Sequence, residues 1–137
     1  MKRILVTGSG GIGGVNFIRA LKLFKDKFFI VGTDFNKYYL QFADLDQRVI
    51  SPKHSDPSFI PLLNELTKQH KIDFLHPQPS SESLVVSQNL DKISTKTLLP
   101  SPNIISNDKL ETQKTLLASV IAVAQTKTID HYELIEN

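Results

Sequence analysis

Apolar positions recur along this chain in two rhythms. Ile4, Leu5 and Val6 form a continuous apolar run, the pattern of a strand buried on both faces of a parallel sheet. Val15, Ile18, Leu21 and Phe24 then recur three residues apart, and Phe17 and Ala20 widen the stripe. That spacing predicts an amphipathic helix facing a core. The run FFIVGTD predicts a second strand ending in Asp34, and RVIS a short third strand over 48–51. Between them FNKYYLQFAD reads as a loop with a short helical turn, with Tyr38, Tyr39 and Phe42 as packing residues.

The alternation continues. SDPSFIPLLNELTKQH predicts a helix with Asp56 as N-cap and Pro57 at the first helical position. Pro61 falls near the end of its first turn, where a proline is tolerated. IDFLHP predicts a fourth strand, about 72 to 76, and SSESLVVSQNLDKI the next helix. TKTLLPSP predicts a fifth strand ending at Pro100, SNDKLETQKTLLAS a further helix, and AVAQTKTI one more strand. Strands alternating with helices imply an α/β chain: a three-layer, Rossmann-like fold with a mostly parallel sheet and helices on both faces. In such sheets ligands bind beyond the carboxyl ends of the strands. That rule selects four loops: Gly8–Gly14, Asp34–Tyr39, His76–Glu82 and Pro100–Asn103.

Five of the six glycines lie in TGSGGIGGVN, directly after the first strand. Gly8, Gly10 and Gly13 fit G-x-G-x-x-G, a spacing that allows a tight strand-to-helix turn and close approach of a ligand. Such a turn aims backbone N–H groups at an anion, aided by the helix dipole. Asp34 stands 21 residues beyond Gly13, where an acid can bond a ribose hydroxyl in dinucleotide-binding folds. The candidate substrate- or nucleotide-binding residues are therefore Gly8, Ser9, Gly10, Gly11, Gly13 and Asp34, together with Glu82. The same turn also serves a purely structural role in sheets that hold no nucleotide. A G-x-x-x-x-G-K-[ST] loop is excluded, because Gly14 and Val15 stand where its Lys and Ser/Thr belong.

Composition narrows the remaining chemistry. A chain of 137 residues can form one domain burying roughly two-thirds of its unfolded surface. The net charge is +2 and the basic residues are scattered, so neither a nucleic-acid nor a membrane partner is expected. There is no cysteine, which removes disulfides, thiolate metal sites and a cysteine nucleophile, and fits a reducing cytoplasm. The sequence opens directly into the first strand, so no signal peptide is expected, and no apolar run reaches membrane-spanning length. His76 ends the fourth strand on the ligand side but reads as a solvated loop residue. Glu82 lies in the first turn of the next helix, where an acid also complements the dipole. His54, His70 and His131 are far apart, so no metal site is expected. There is no G-x-S-x-G, Lys109 and Lys114 read as a solvated helix face, and no residue is assigned a catalytic role.

Two families resemble parts of this pattern. TGSGGIG, residues 7 to 13, looks like the cofactor loop of short-chain dehydrogenases. That family's catalytic tyrosine lies four residues before a lysine, whereas Tyr38, Tyr39 and Tyr132 are followed at that spacing by Phe42, Ala43 and Glu136. A wider match is to the N-terminal, pre-ATP-grasp domain of ATP-grasp ligases resembling the carbamoyl-phosphate synthase large subunit. It runs through ILVTGSGGIGG, VGTDFN, FAD with RVISPK, KIDFLHPQPSSES and ISNDKLETQKTLLAS. The last segment carries Asp108-Lys109, which opens the helix before the ATP-grasp region in that family and gives this pair an interdomain place.

That resemblance implies the substrate-side domain of an ATP-dependent carboxylate–amine or ammonia ligase. Residues 1–118 would form the Rossmann-like domain, and 119–137 a linker into an ATP-grasp domain. The segments that hold ATP and magnesium in that family lie beyond Asn137, so no turnover and no tightly bound cofactor are expected of this chain alone. Its partners would be a small-molecule substrate and an ATP-grasp domain in cis or trans. The apolar tail from Ser119 is expected either to fray or to be covered by a second copy in a homodimer. The alternative is an NAD(P)-binding Rossmann module of an oxidoreductase or sugar-nucleotide epimerase type.

Overall fold

A computed structural model of the chain describes residues 1–24, 27–102 and 108–124. Five strands form one sheet: β1 (Lys2–Thr7), β2 (Phe28–Asp34), β3 (Gln47–Ile50), β4 (Phe74–Pro77) and β5 (Lys96–Thr97). Their order is β3-β2-β1-β4-β5, and every neighbouring pair is parallel. The α/β, Rossmann-like expectation is met. Among the described residues four α-helices connect or follow the strands: α1 (Ile12–Lys22), α2 (Phe59–His70), α3 (Ser80–Gln88) and α4 (Lys109–Ala118). A 3-10 turn, Tyr39–Gln41, lies in the β2–β3 connection, and another, Leu90–Lys92, follows α3.

Strand parity divides the core into two layers. Leu5, Val31 and Leu75 point to one face, where they pack against Phe59, Leu63 and Leu66 of α2 and Val86 of α3. Ile4, Val6 and Ile30 point to the other, against Ile18 of α1 and Leu40, Ala43 and Leu45 of the β2–β3 connection. β1 and β2 are buried on both faces, which is why their sequences read as apolar runs. The chain winds outward from β1 to β3, then returns across the sheet to β4. The reversal falls between β1 and β4, so the ligand crevice of this topology opens beyond Thr7 and Pro77.

Several boundaries differ from the sequence reading. α2 begins at Phe59 rather than at Pro57, with Ser58 at its N-cap position. Asp56 still makes a cap-type bond just ahead of the helix, accepting the Ser58 amide at 2.8 Å. Pro61 lies in the first helical turn, as expected. β5 is only two residues long. The loop after it passes Pro100, whose carbonyl accepts from Ser87 Oγ at 2.8 Å. The sixth strand expected over AVAQTKTI is not seen at 122–124, which are irregular, and 125–129 lie outside the described residues. Asn103 and the expected start of the last helix, Ser106–Asn107, also lie outside them.

Candidate functional site

The glycine turn is built by hydrogen bonds from its neighbours. After Thr7 the chain reverses at Gly8, whose φ of +55° favours glycine. Ser9 is fully buried and donates twice to the Thr33 carbonyl of β2, from its amide at 3.0 Å and its hydroxyl at 3.2 Å. Gly10 donates its amide to Asp34 Oδ2 at 3.2 Å, and Asn36 donates to Asp34 Oδ1 at 2.9 Å. Asp34 is buried. Gly11 is the N-cap of α1, and no side chain caps the helix. The amides of Ile12, Gly13 and Gly14 thus have no intrahelical acceptor and lie at the positive end of the dipole.

Glycines in such turns do three jobs: turn tightly, admit a ligand to the backbone, and pack helix against strand. Here Gly8 makes the tight turn, Gly14 packs helix against strand, and Gly11 is the glycine whose missing side chain faces open space. A methyl group on Gly14 would stand 2.6 Å from the Gly8 carbonyl oxygen, so the helix could not close on the turn. A methyl group on Gly11 would meet nothing nearer than the Gly8 oxygen at 3.5 Å; this face of the turn is open. Gly10 is packed against the Tyr39 backbone and Gly13 against the Gln78 side chain, so methyl groups there would collide with protein. Gly14 was not among the candidates read from the sequence. The signal for it is the even spacing of Gly8, Gly11 and Gly14, which the overlapping G-x-G-x-x-G masks.

Glu82 joins this site from the far face of the sheet. It sits in the first turn of α3, 5% exposed, and its Oε2 lies 3.7 Å from where a Gly8 methyl group would be. Burial pushes its carboxyl up to about 7; the nearby Thr7 hydroxyl pulls the other way and the Asp34 charge adds a further upward push. Neither Glu82 Oε2 nor Thr7 Oγ1 makes a hydrogen bond of ordinary geometry, and Thr33 Oγ1 is likewise buried without one. The structure thus gathers Gly8, Ser9, Gly10, Gly11, Gly13, Asp34 and Glu82 around one strand end.

His76 is not a solvated loop residue. It lies in β4, stacks on Phe17 of α1 with ring centroids 3.9 Å apart, and bonds Gln78 Oε1 at 2.9 Å. Asp108 caps α4 through the amides of Leu110 and Glu111, and Lys109 is the exposed first residue of that helix. Among the described residues no group of acidic or imidazole side chains could hold a metal ion, and no helix is long and apolar enough to cross a membrane. A groove of about 220 Å³ adjoins the turn between Gly10, Ile12 and Phe42. A roomier one, about 540 Å³, lies between α2 and α3. The turn itself is the better site, because uncapped amides and a carboxylate converge there.

No protein-family model matches the chain, and no curated protein matches it. Solved structures do. One is a dTDP-glucose 4,6-dehydratase from Bacillus anthracis in complex with NAD, at 17% identity and a TM-score of 0.50. The match covers 67% of this chain and 34% of the dehydratase, so this chain spans about a third of that enzyme's length. Another is a UDP-D-quinovosamine 4-dehydrogenase from Vibrio fischeri, at 18% identity and a TM-score of 0.50, covering 94% of this chain and 93% of the other. The fold is that of these Rossmann enzymes.

These neighbours correct the wider resemblance found in the sequence. They are dehydratase and dehydrogenase Rossmann folds, not ATP-grasp carbamoyl-phosphate synthase domains. The pre-ATP-grasp assignment, the ligase function and the ATP-grasp label fall with it. The physical reason lies in the segments that carried the match. A glycine turn after β1, an acid ending β2 and a polar loop after β4 are what a doubly wound sheet with its crevice at β1 and β4 requires, whatever chemistry it serves.

Proposed function

We propose that the chain is a dinucleotide-binding module of the Rossmann type, serving an NAD-dependent oxidoreductase or sugar-nucleotide-modifying enzyme. The observation that carries this reading is Gly11: its missing side chain leaves open space beside the uncapped amides of Ile12, Gly13 and Gly14. A pyrophosphate set there would accept from those amides at the positive end of α1. Asp34 would then receive a ribose hydroxyl, each of its oxygens keeping a free lone pair beside the bonds already made. Its charge disfavours the extra phosphate of NADP. The fold of the two neighbours, one of them solved with NAD, supports the same cofactor.

Binding by this chain is modest on this account. Tyr39 packs over Gly10 and Gln78 over Gly13, and both narrow the crevice. No tyrosine in the sequence stands four residues before a lysine, so the module binds without itself supplying that catalytic pair. A cytoplasmic location, suggested by the absence of cysteine, belongs to the same reading. Calorimetric titration with NAD and NADP tests it. The expected dissociation constant for NAD is roughly 10 μM to 1 mM (about −7 to −4 kcal/mol), with NADP about tenfold weaker. Absence of NAD binding at millimolar concentration refutes the reading.

A further inference from the structure

Glu82 is the one buried acid at the turn that the cofactor's contacts do not use. Its Oε2 is buried 3.7 Å from where a Gly8 methyl group would stand, with the Thr7 hydroxyl nearby but no hydrogen bond of ordinary geometry. Thr7 Oγ1, from β1, and Thr33 Oγ1, from β2, are likewise buried on the same face of the sheet without a hydrogen bond of ordinary geometry. The ionic group facing it is the Asp34 carboxylate of β2, already committed to the Gly10 and Asn36 amides. α3 carries no other ionisable side chain. His76 of β4 points to the opposite face, stacked on Phe17 of α1. An anion seated on the turn would add negative charge to a site that already holds Asp34.

We propose that Glu82 couples binding of an anionic cofactor at the glycine turn to uptake of a proton: the neutral carboxyl accommodates the anion and the carboxylate opposes it. The proposal rests on the dinucleotide reading. Burial holds the free protein's Glu82 near half-protonation at neutral pH. An anion on the turn beside Gly8 favours the neutral form further, and by linkage the neutral form favours the anion. Binding is then strongest below pH 7 and weakens as the pH rises through and above it.

The test is calorimetric titration of the full chain with NAD at pH 6, 7 and 8, in buffers of low and high ionisation enthalpy. Wild type, Glu82→Gln and His76→Gln are compared. Wild type is expected to bind roughly fivefold to tenfold more weakly at pH 8 than at pH 6, and to take up about half a proton at pH 7. Glu82→Gln should bind equally at all three pH values, with the wild-type affinity of pH 6; His76→Gln should keep the wild-type dependence. Wild-type binding without pH dependence, or a dependence that survives Glu82→Gln or vanishes with His76→Gln, overturns the proposal and leaves the cofactor reading standing. No binding by any of the proteins overturns the cofactor reading, and the proposal with it. If Glu82→Gln fails to fold, proton uptake by wild type and His76→Gln decides: about half a proton in both supports the proposal, and none overturns it.

Discussion

The Asp34 carboxylate at the end of β2 accepts the Gly10 amide at 3.2 Å, and so ties the glycine turn to the neighbouring strand. The same carboxylate accepts the Asn36 amide at 2.9 Å. Removing it leaves two donors without their acceptor, Gly10 in a buried bond. Asp34→Ala is expected to lower the unfolding free energy by about 3 kcal/mol, since hydrogen bonds to charged groups contribute about 1.5–3 kcal/mol each. Urea unfolding checks it. A loss under about 1 kcal/mol would mean that the turn holds its shape without Asp34.

The glycines should separate by role. Gly11→Ala is expected to change stability by less than about 1 kcal/mol, because its backbone is extended and the space beyond it is open. It should weaken NAD binding at least about tenfold, because the methyl group occupies the ligand's approach. Gly10→Ala and Gly14→Ala meet backbone atoms and should each cost more than about 2 kcal/mol. Thermal unfolding and NAD titration of the three variants check this. Equal stability losses at Gly11 and Gly14 would contradict the assignment.

Glu82 makes stability depend on pH in a stated direction. Its carboxyl is raised from the ordinary 4.5 to about 7 in the folded state. The folded protein therefore holds more protons than the unfolded chain between these values, and stability falls as pH rises through that window. The penalty approaches about 3 kcal/mol above pH 7, at about 1.4 kcal/mol per pH unit between the two values. Glu82→Gln carries no such penalty. The stability of Glu82→Gln relative to wild type should thus increase from pH 5 to pH 8, measured by urea unfolding at each pH. A difference that stays constant would show that Glu82 is ionised at an ordinary pH.

Arg48 fixes the loop that covers the turn. Its guanidinium donates to the carbonyls of Leu40 at 3.2 Å, Leu45 at 3.1 Å and Ala43 at 2.9 Å. These bonds clamp the segment whose Tyr39 backbone packs on Gly10. Arg48→Met should cost about 2 kcal/mol and speed amide hydrogen exchange at Leu40 and Phe42 while leaving β1 protected. Unchanged exchange at Leu40 would remove Arg48 from this role.

The layered fold was legible because the physics is local. Ile4 to Val6 lie in a strand covered on both faces, and Val15 and Ile18 lie on the buried stripe of α1, so their spacing reports burial directly. Regular α2 begins two residues later than its proline suggested, although Asp56 makes the cap-type bond expected of it, accepting the Ser58 amide two residues on. The glycine motif was legible as a turn but ambiguous in register. With five glycines in seven positions, only the neighbours Tyr39, Gln78 and Ser9 reveal which glycines are packed and which faces open space. Glu82 could be placed on the ligand side. Its burial could not, because it depends on Pro79 and Gly8 meeting across the β1–β4 reversal. The wider ligase resemblance misled for a related reason: segment order is shared by doubly wound sheets of different chemistry.

Amide chemical-shift mapping during NAD titration tests the central claim most directly. The account expects saturable shifts concentrated at Gly11, Ile12, Gly13 and Gly14 and at Asp34 to Asn36, with none of comparable size in the groove between α2 and α3. The Gly11→Ala variant should fold normally and lose most of them. Saturable shifts confined to the α2–α3 groove, or no shifts at millimolar NAD, would contradict the assignment of the glycine turn as a dinucleotide site.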